Sequence, residues 1–140
     1  MVDPPDGWQP QPLKQTSRHA HQVWLSPTGR TAYGVIHFRL PLPLSADFVL
    51  PFFISEMRRT QGDASLISKT GDPQLPGVRF IAEGGAYHIR VNLLTSGREG
   101  WAVYAGTLRG RPEDANELQT AETSREHTQI GIPAEFADGR

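Results

Sequence analysis

The chain has 140 residues and a formal net charge of −1, with 14 Lys and Arg against 15 Asp and Glu, so no basic excess exists to collect phosphates by counterion release and nucleic acid is not an expected partner. It contains no cysteine, which excludes disulfides, a thiol nucleophile and thiolate-held zinc or iron–sulfur centres. A single domain of this size buries a core without such staples, and no apolar run is long enough for a transmembrane segment.

Residues 1–16, opening "MVDPPDGWQP", are rich in Pro and Gln and lack periodicity. They read as an irregular lead-in pinned to the domain by Trp8. The Asp-Pro-Pro start also looks like the spacer left after a leader or lipid anchor is removed, which sets an expectation of an exported or membrane-anchored protein, and of a cytoplasmic one if no leader exists.

The domain itself is expected over 17–131. A strand from about His19 to Leu25, the turn "SPTGRT" and the strand "AYGVIHFRL" form an N-terminal hairpin. In "RHAHQVW", His19 and His21 share a face as i and i+2 residues must. An even loop pairs Leu25 with Ala32, Trp24 with Tyr33, His21 with Ile36 and His19 with Phe38, and sets His37 opposite Ala20 on the other face. His37 therefore cannot complete a three-histidine centre. His19 and His21 stand as a two-ligand candidate for a divalent metal, against the plainer reading of hydrogen-bonded or solvent-facing strand residues.

After "PLPL", Ser45 is an N-cap and Asp47 lies in the first turn of a helix through "ADFVLPFFISEMRRTQG". Phe48 and Phe52, with Met57 or Phe53, supply the expected apolar face. Pro51 lacks an amide hydrogen and crowds the carbonyl four residues back, so the regular helix is placed at 51–60. "ASLIS" is a short strand and "KTGDPQLPG" a loop. "VRFIAE", Gly84-Gly85 and "AYHIRVNLLT" make a tight hairpin, and "GWAVYAGTL" extends it to a three-strand meander. A helix follows in "RPEDANELQTAETSREHTQIG", opened by Pro112 and stopped by Gly131, and 132–140 is a flexible tail.

Centring the turn on Gly84-Gly85 pairs Ala82 with Tyr87, Phe80 with Ile89 and Val78 with Val91 on an apolar face. The other face sets Arg79 opposite Arg90, two cations that need an acid or a bound anion between them. His88, Asn92, Leu94, Trp101, Val103 and Ala105 share that face, which is too apolar to be left bare. The economical assembly is α+β: an antiparallel sheet, N-terminal hairpin plus meander, packed between the Phe-rich helix and the acidic helix as a three-layer α/β/α sandwich. Carboxylates of the acidic helix would then answer Arg79 and Arg90.

The opening "PDGW", the early hairpin, the helix after it, the meander with "GWAVYAGTLRG" and the closing helix resemble the PsbP-like α/β/α sandwich. That fold is shared by extrinsic photosystem proteins, Ran-binding Mog-type proteins and small bacterial lipoproteins. The resemblance covers roughly residues 6–131 and lies in element order and short strings. It implies a non-catalytic binding or assembly domain with a protein partner, and assigns no functional residue.

Catalytic signatures are missing from the residues themselves. Ser55, His88 and Asp72 form no motif, no nucleophile elbow is present, and the glycines of "SGREGW" open no phosphate-binding helix. No cofactor is expected. The one constellation suited to a small anionic ligand or substrate is Arg79, His88, Arg90, Asn92, Tyr33 and His37 with Trp101 as an apolar wall. Its structural alternative is Arg–Glu bridging to the last helix. A binding or assembly module is the leading expectation, an anion binder or enzyme using the Arg79/Arg90/His88/Trp101 face the second, and a His19/His21 metal binder the third.

Overall fold

The computed structural model of the protein describes residues 2–16, 18–61, 64–71, 77–84, 86–108, 111 and 113–128. Gly85, Pro112, Gly131 and the expected tail at 132–140 lie outside the described residues, as do 72–76 of the loop between two strands. The elements are β1 (Gln9–Pro10), β2 (Lys14–Thr16), β3 (His19–Leu25), β4 (Thr31–Arg39), α1 (Ala46–Gln61), β5 (Ser65–Gly71), β6 (Gly77–Glu83), β7 (Tyr87–Ser96), β8 (Glu99–Leu108) and α2 (Glu113–His127).

The protein is α+β and dominated by one open antiparallel sheet of eight strands, in the order β1-β3-β4-β8-β7-β6-β5, with β2 also pairing with β3. The Pro/Gln lead-in thus contributes two short edge strands. Trp8 beside them is buried and joins Tyr33, Val103, Ala105 and Ala121 in one core cluster.

The β3–β4 hairpin has the register that its turn demands. Gly29 sits at φ +73°, a region open to glycine at little cost, and its N–H donates to the Ser26 carbonyl. His19 faces Phe38, His21 faces Ile36, and His37 faces Ala20 across the ladder.

The β6–β7 hairpin corrects the expected register. Gly84 N–H donates to the Tyr87 carbonyl, so the turn is centred one residue later than Gly84-Gly85. Every pair then slips by two: Ala82 faces Ile89, Phe80 faces Val91, Val78 faces Leu93, and Arg79 faces Asn92 rather than Arg90. A shift by two keeps each side chain on its face, but it removes the direct confrontation of the two cations.

The β4–β8 ladder joins hairpin to meander and pairs Tyr33 with Ala105, Val35 with Val103, His37 with Trp101 and Arg39 with Glu99. Residues paired across this ladder are therefore some 60 to 80 positions apart in the chain.

α1 also differs from expectation, since it begins at Ala46 and runs through Pro51 without stopping. The Ser45 side chain accepts from Phe48 N–H at 3.2 Å and its carbonyl accepts from Phe48 and Val49, so the helix is nucleated before the proline. Pro51 then deletes only the bond to the Asp47 carbonyl. Restoring that bond with Pro51→Ala is expected to add about 1–3 kcal/mol of stability, read as a higher urea midpoint at unchanged slope.

The buried side of α1 is Ala46, Val49, Leu50, Ile54 and Met57, packed with Val78, Phe80, Ala82, Val91, Leu93 and Ala102 and flanked by half-buried Phe53. Phe48 and Phe52 are 57% and 63% exposed, contrary to the apolar face expected of them. Ala121 and Leu118 of α2 instead cluster with Tyr33, Val103 and Ala105.

Candidate functional site

The Arg/His/Asn constellation proposed from the sequence is brought together in part, and α2 closes it. Glu122 of α2 accepts from Arg125 Nε at 2.6 Å and Nη2 at 3.0 Å, and from Arg90 Nη1 at 3.2 Å. Arg125 Nη1 also donates to the Asn92 side-chain oxygen. Arg90 Nε donates to His88 Nε2 at 3.1 Å, which makes that nitrogen the acceptor and leaves the His88 proton on Nδ1, where it reaches Glu83 at 2.9 Å. Glu83, His88, Arg90, Glu122, Arg125 and Asn92 thus form one continuous chain of charge and hydrogen bonds.

That chain seats a helix. The side chains of Glu122 and Arg125 are each 7% exposed. Burial alone would push the Glu122 carboxyl up, but the hydrogen bonds and charges of Arg125 and then Arg90 outweigh it and hold the group below its usual range. The start of α2 is fixed as firmly. Arg30 clasps Asp114 through two 2.9 Å bonds, and one oxygen of Glu117 accepts from Ser26, Thr28 and Thr31 at 3.0, 2.6 and 3.1 Å.

The other candidate residues are dispersed. Tyr33 is fully buried; its hydroxyl donates to Thr128 Oγ1, whose own hydrogen goes to the Ser124 carbonyl at 2.7 Å. Arg79 is exposed and makes no ion pair among the described residues. His37 stacks on Trp101 with ring centroids 5.3 Å apart and bonds Glu99.

His19 and His21 lie with ring centroids 6.1 Å apart, but among the described residues no group of three His, Asp or Glu side chains could hold a metal. His21 has a partner in the fold: its Nε2 lies 2.7 Å from the Tyr104 hydroxyl. Burial, then the charges of His19 and Lys14, lower its pKa from 6.5 to about 4, while burial pushes the Tyr104 phenol up. The pair is a neutral imidazole against a neutral phenol.

The sign of the resulting pH effect is fixed. His21 takes a proton near 6.5 when unfolded and only near 4 when folded, so the unfolded state binds more protons between those values and stability falls on acidification through that window. His21→Gln is expected to flatten that limb, measured as the difference in urea midpoint between pH 7 and pH 5.

A different cluster, missed in the sequence, lines a cavity of about 360 Å³: Arg18, Arg39, Leu40, Pro41 and Arg98. Arg18 precedes β3, Arg39 ends β4 and Arg98 sits in the β7–β8 turn. Their backbones are tied to one another, since Arg39 N–H donates to the Arg18 carbonyl at 2.9 Å and Leu40 N–H to the Arg98 carbonyl at 2.7 Å. Arg98 Nε is held by the Leu40 carbonyl at 3.3 Å, and its two terminal nitrogens make no hydrogen bond among the described residues.

The carboxylate nearest in the ladder is Glu99. It bonds His37 and, at 3.3 Å, Arg39. The His37 hydrogen bond foremost, with that of Arg39 behind it and slight burial opposing, keeps the Glu99 carboxyl low and charged. Three guanidinium groups held on a cross-linked backbone can receive an anion; they offer no nucleophile and no general base.

No family model matches the chain, and no curated protein is similar to it in sequence.

Proposed function

We propose that the chain is a non-catalytic binding module that recognises its ligand through an anionic group seated among Arg18, Arg39 and Arg98. The observation that carries this reading is the pocket itself, where three arginines from three separate segments line one cavity that, among the described residues, no acidic side chain lines. The anion-binding alternative expected on the Arg79/Arg90/His88/Trp101 face has less support, because Glu122 already occupies Arg90.

The finer architecture belongs to the same proposal. The residues that α1 packs on and those that α2 packs on alternate along β8, Ala102 in one cluster and Val103 and Ala105 in the other, which supports helices on both faces and a PsbP-like α/β/α sandwich.

The test is a thermal-unfolding series in chloride, acetate, sulfate and phosphate at fixed ionic strength. A bound anion stabilises by about 1.4 kcal/mol at ten times its Kd, so at least one should raise the midpoint of the native chain and not that of an Arg18→Gln, Arg39→Gln, Arg98→Gln variant. An equal rise in both proteins, or none in either, rejects the reading.

A further inference from the structure

We infer that the arginine pocket takes a phosphomonoester in its dianionic form, a small organic phosphate rather than a carboxylate; this rests on the anion-binding reading above. The charge count points there. Arg18, Arg39 and Arg98 bring three positive charges to the rim, and beside it Glu99 pairs with Arg39 and offsets one of them. The surplus is two positive charges, which a phosphomonoester at neutral pH, carrying between one and a half and two negative charges, answers about evenly.

The donor geometry agrees with the count. A phosphomonoester offers three terminal oxygens around one centre to forks that come from three segments, one more than a carboxylate presents. Arg18 makes no side-chain hydrogen bond among the described residues, and Arg98 spends only Nε, on the Leu40 carbonyl. The main-chain bonds from Arg39 to Arg18 and from Leu40 to Arg98 hold the three backbone segments together before any ligand arrives, so only the side chains are left to order on binding.

Size and lining argue for an ester over the bare ion. A cavity of about 360 Å³ lies at the small end of sites for organic ligands, and Leu40 and Pro41 give it an apolar wall on which the carbon side of the ligand can rest. Glu99 sets the threshold for occupancy. It competes for Arg39, and His37 holds its other oxygen.

Calorimetric titration of the full chain at pH 7.5 and fixed ionic strength tests this with phenyl phosphate, dimethyl phosphate, benzoate and inorganic phosphate. Phenyl phosphate should bind at least tenfold tighter than the two monoanions, and measurably tighter than inorganic phosphate. Arg18→Gln and Arg98→Gln should each weaken it about tenfold with unchanged urea midpoints in the absence of ligand, and Glu99→Gln should tighten it severalfold. Equal binding of benzoate or dimethyl phosphate overturns the dianion inference while leaving an anion-binding module in place. Equal binding of inorganic phosphate overturns the ester, and undiminished affinity in both arginine variants puts the site elsewhere and overturns the inference. No heat from any of the four overturns both this inference and the reading it rests on.

Discussion

Glu122→Leu is expected to cost the fold about 3–5 kcal/mol, because it leaves Arg125 buried without a carboxylate. Arg125 is 6% exposed and spends two of its donors on Glu122. Its remaining contact, to Asn92, is to a neutral oxygen and cannot offset a desolvated charge. Arg90 loses less, since its side chain is 38% exposed and can turn towards water. A loss of this size is a large part of the 5–15 kcal/mol that holds an ordinary domain together. The double variant Glu122→Leu, Arg125→Met should recover most of it, since two apolar side chains of similar volume replace the buried pair and the charge left without Glu122, on Arg90, can reach water. Urea midpoints for both single variants and the double give the coupling directly. If Glu122→Leu costs under about 1 kcal/mol, α2 is not seated by this network.

The same carboxylate sets an acid limb distinct from that of His21. Glu122 has its folded pKa depressed below 4.5, so its contribution is complete above that value and is lost as pH falls through the lower, folded one. His21 acts earlier, between 6.5 and about 4. A native chain and a His21→Gln chain should therefore differ between pH 7 and pH 5, and run parallel below pH 4, where the carboxylates dominate.

Local turn chemistry made one hairpin legible and blurred the other. "SPTGRT" offers a single glycine for the left-handed position, so the β3–β4 register and the separation of His37 from His19 and His21 follow from residues 26–31 alone. "EGGAY" offers two adjacent ways to centre a two-residue turn, and the one adopted moves every β6–β7 pair by two while sparing the faces. In α1, periodicity could not choose between two apolar stripes. Phe48 and Phe52 lie i and i+4 on one, Val49, Phe53 and Met57 on its neighbour, and packing against β6 and β7 buried the second. Pro51 suggested a later start because its cost is visible in the sequence, but the Ser45 cap, equally visible there, forms and starts the helix before it. Least legible was the arginine pocket. Arg18, Arg39 and Arg98 sit at strand ends and in a turn, where alternation assigns no face, and they meet only because β8 pairs with β4 across the whole α1–β7 excursion.

That same β4–β8 ladder carries the second large effect: Gly34→Val should cost about 3 kcal/mol or more. Gly34 lies directly opposite Tyr104, and a Cβ placed on it would meet the Tyr104 ring at 2.3 Å from Cζ and 2.4 Å from the hydroxyl oxygen. The tyrosine covers the glycine, so any side chain there must expel the ring. Overpacking of this kind commonly costs 1–3 kcal/mol. Here the displaced hydroxyl also abandons His21 Nε2 and leaves a half-buried imidazole short of a partner, a further 1–3 kcal/mol. Gly106→Ala is the control within the same sheet, because its Cβ would approach nothing nearer than Ile89 Cγ1 at 3.4 Å, and its cost should stay below about 1 kcal/mol. The two mechanisms separate by nuclear magnetic resonance. With the ring displaced, the His21 imidazole should titrate closer to 6.5 than to the native value of about 4, whereas a general loosening of the sheet would shift the unfolding midpoint and leave that titration where it was. A Gly34→Val chain as stable as the native one would mean that Tyr104 does not lie over β4.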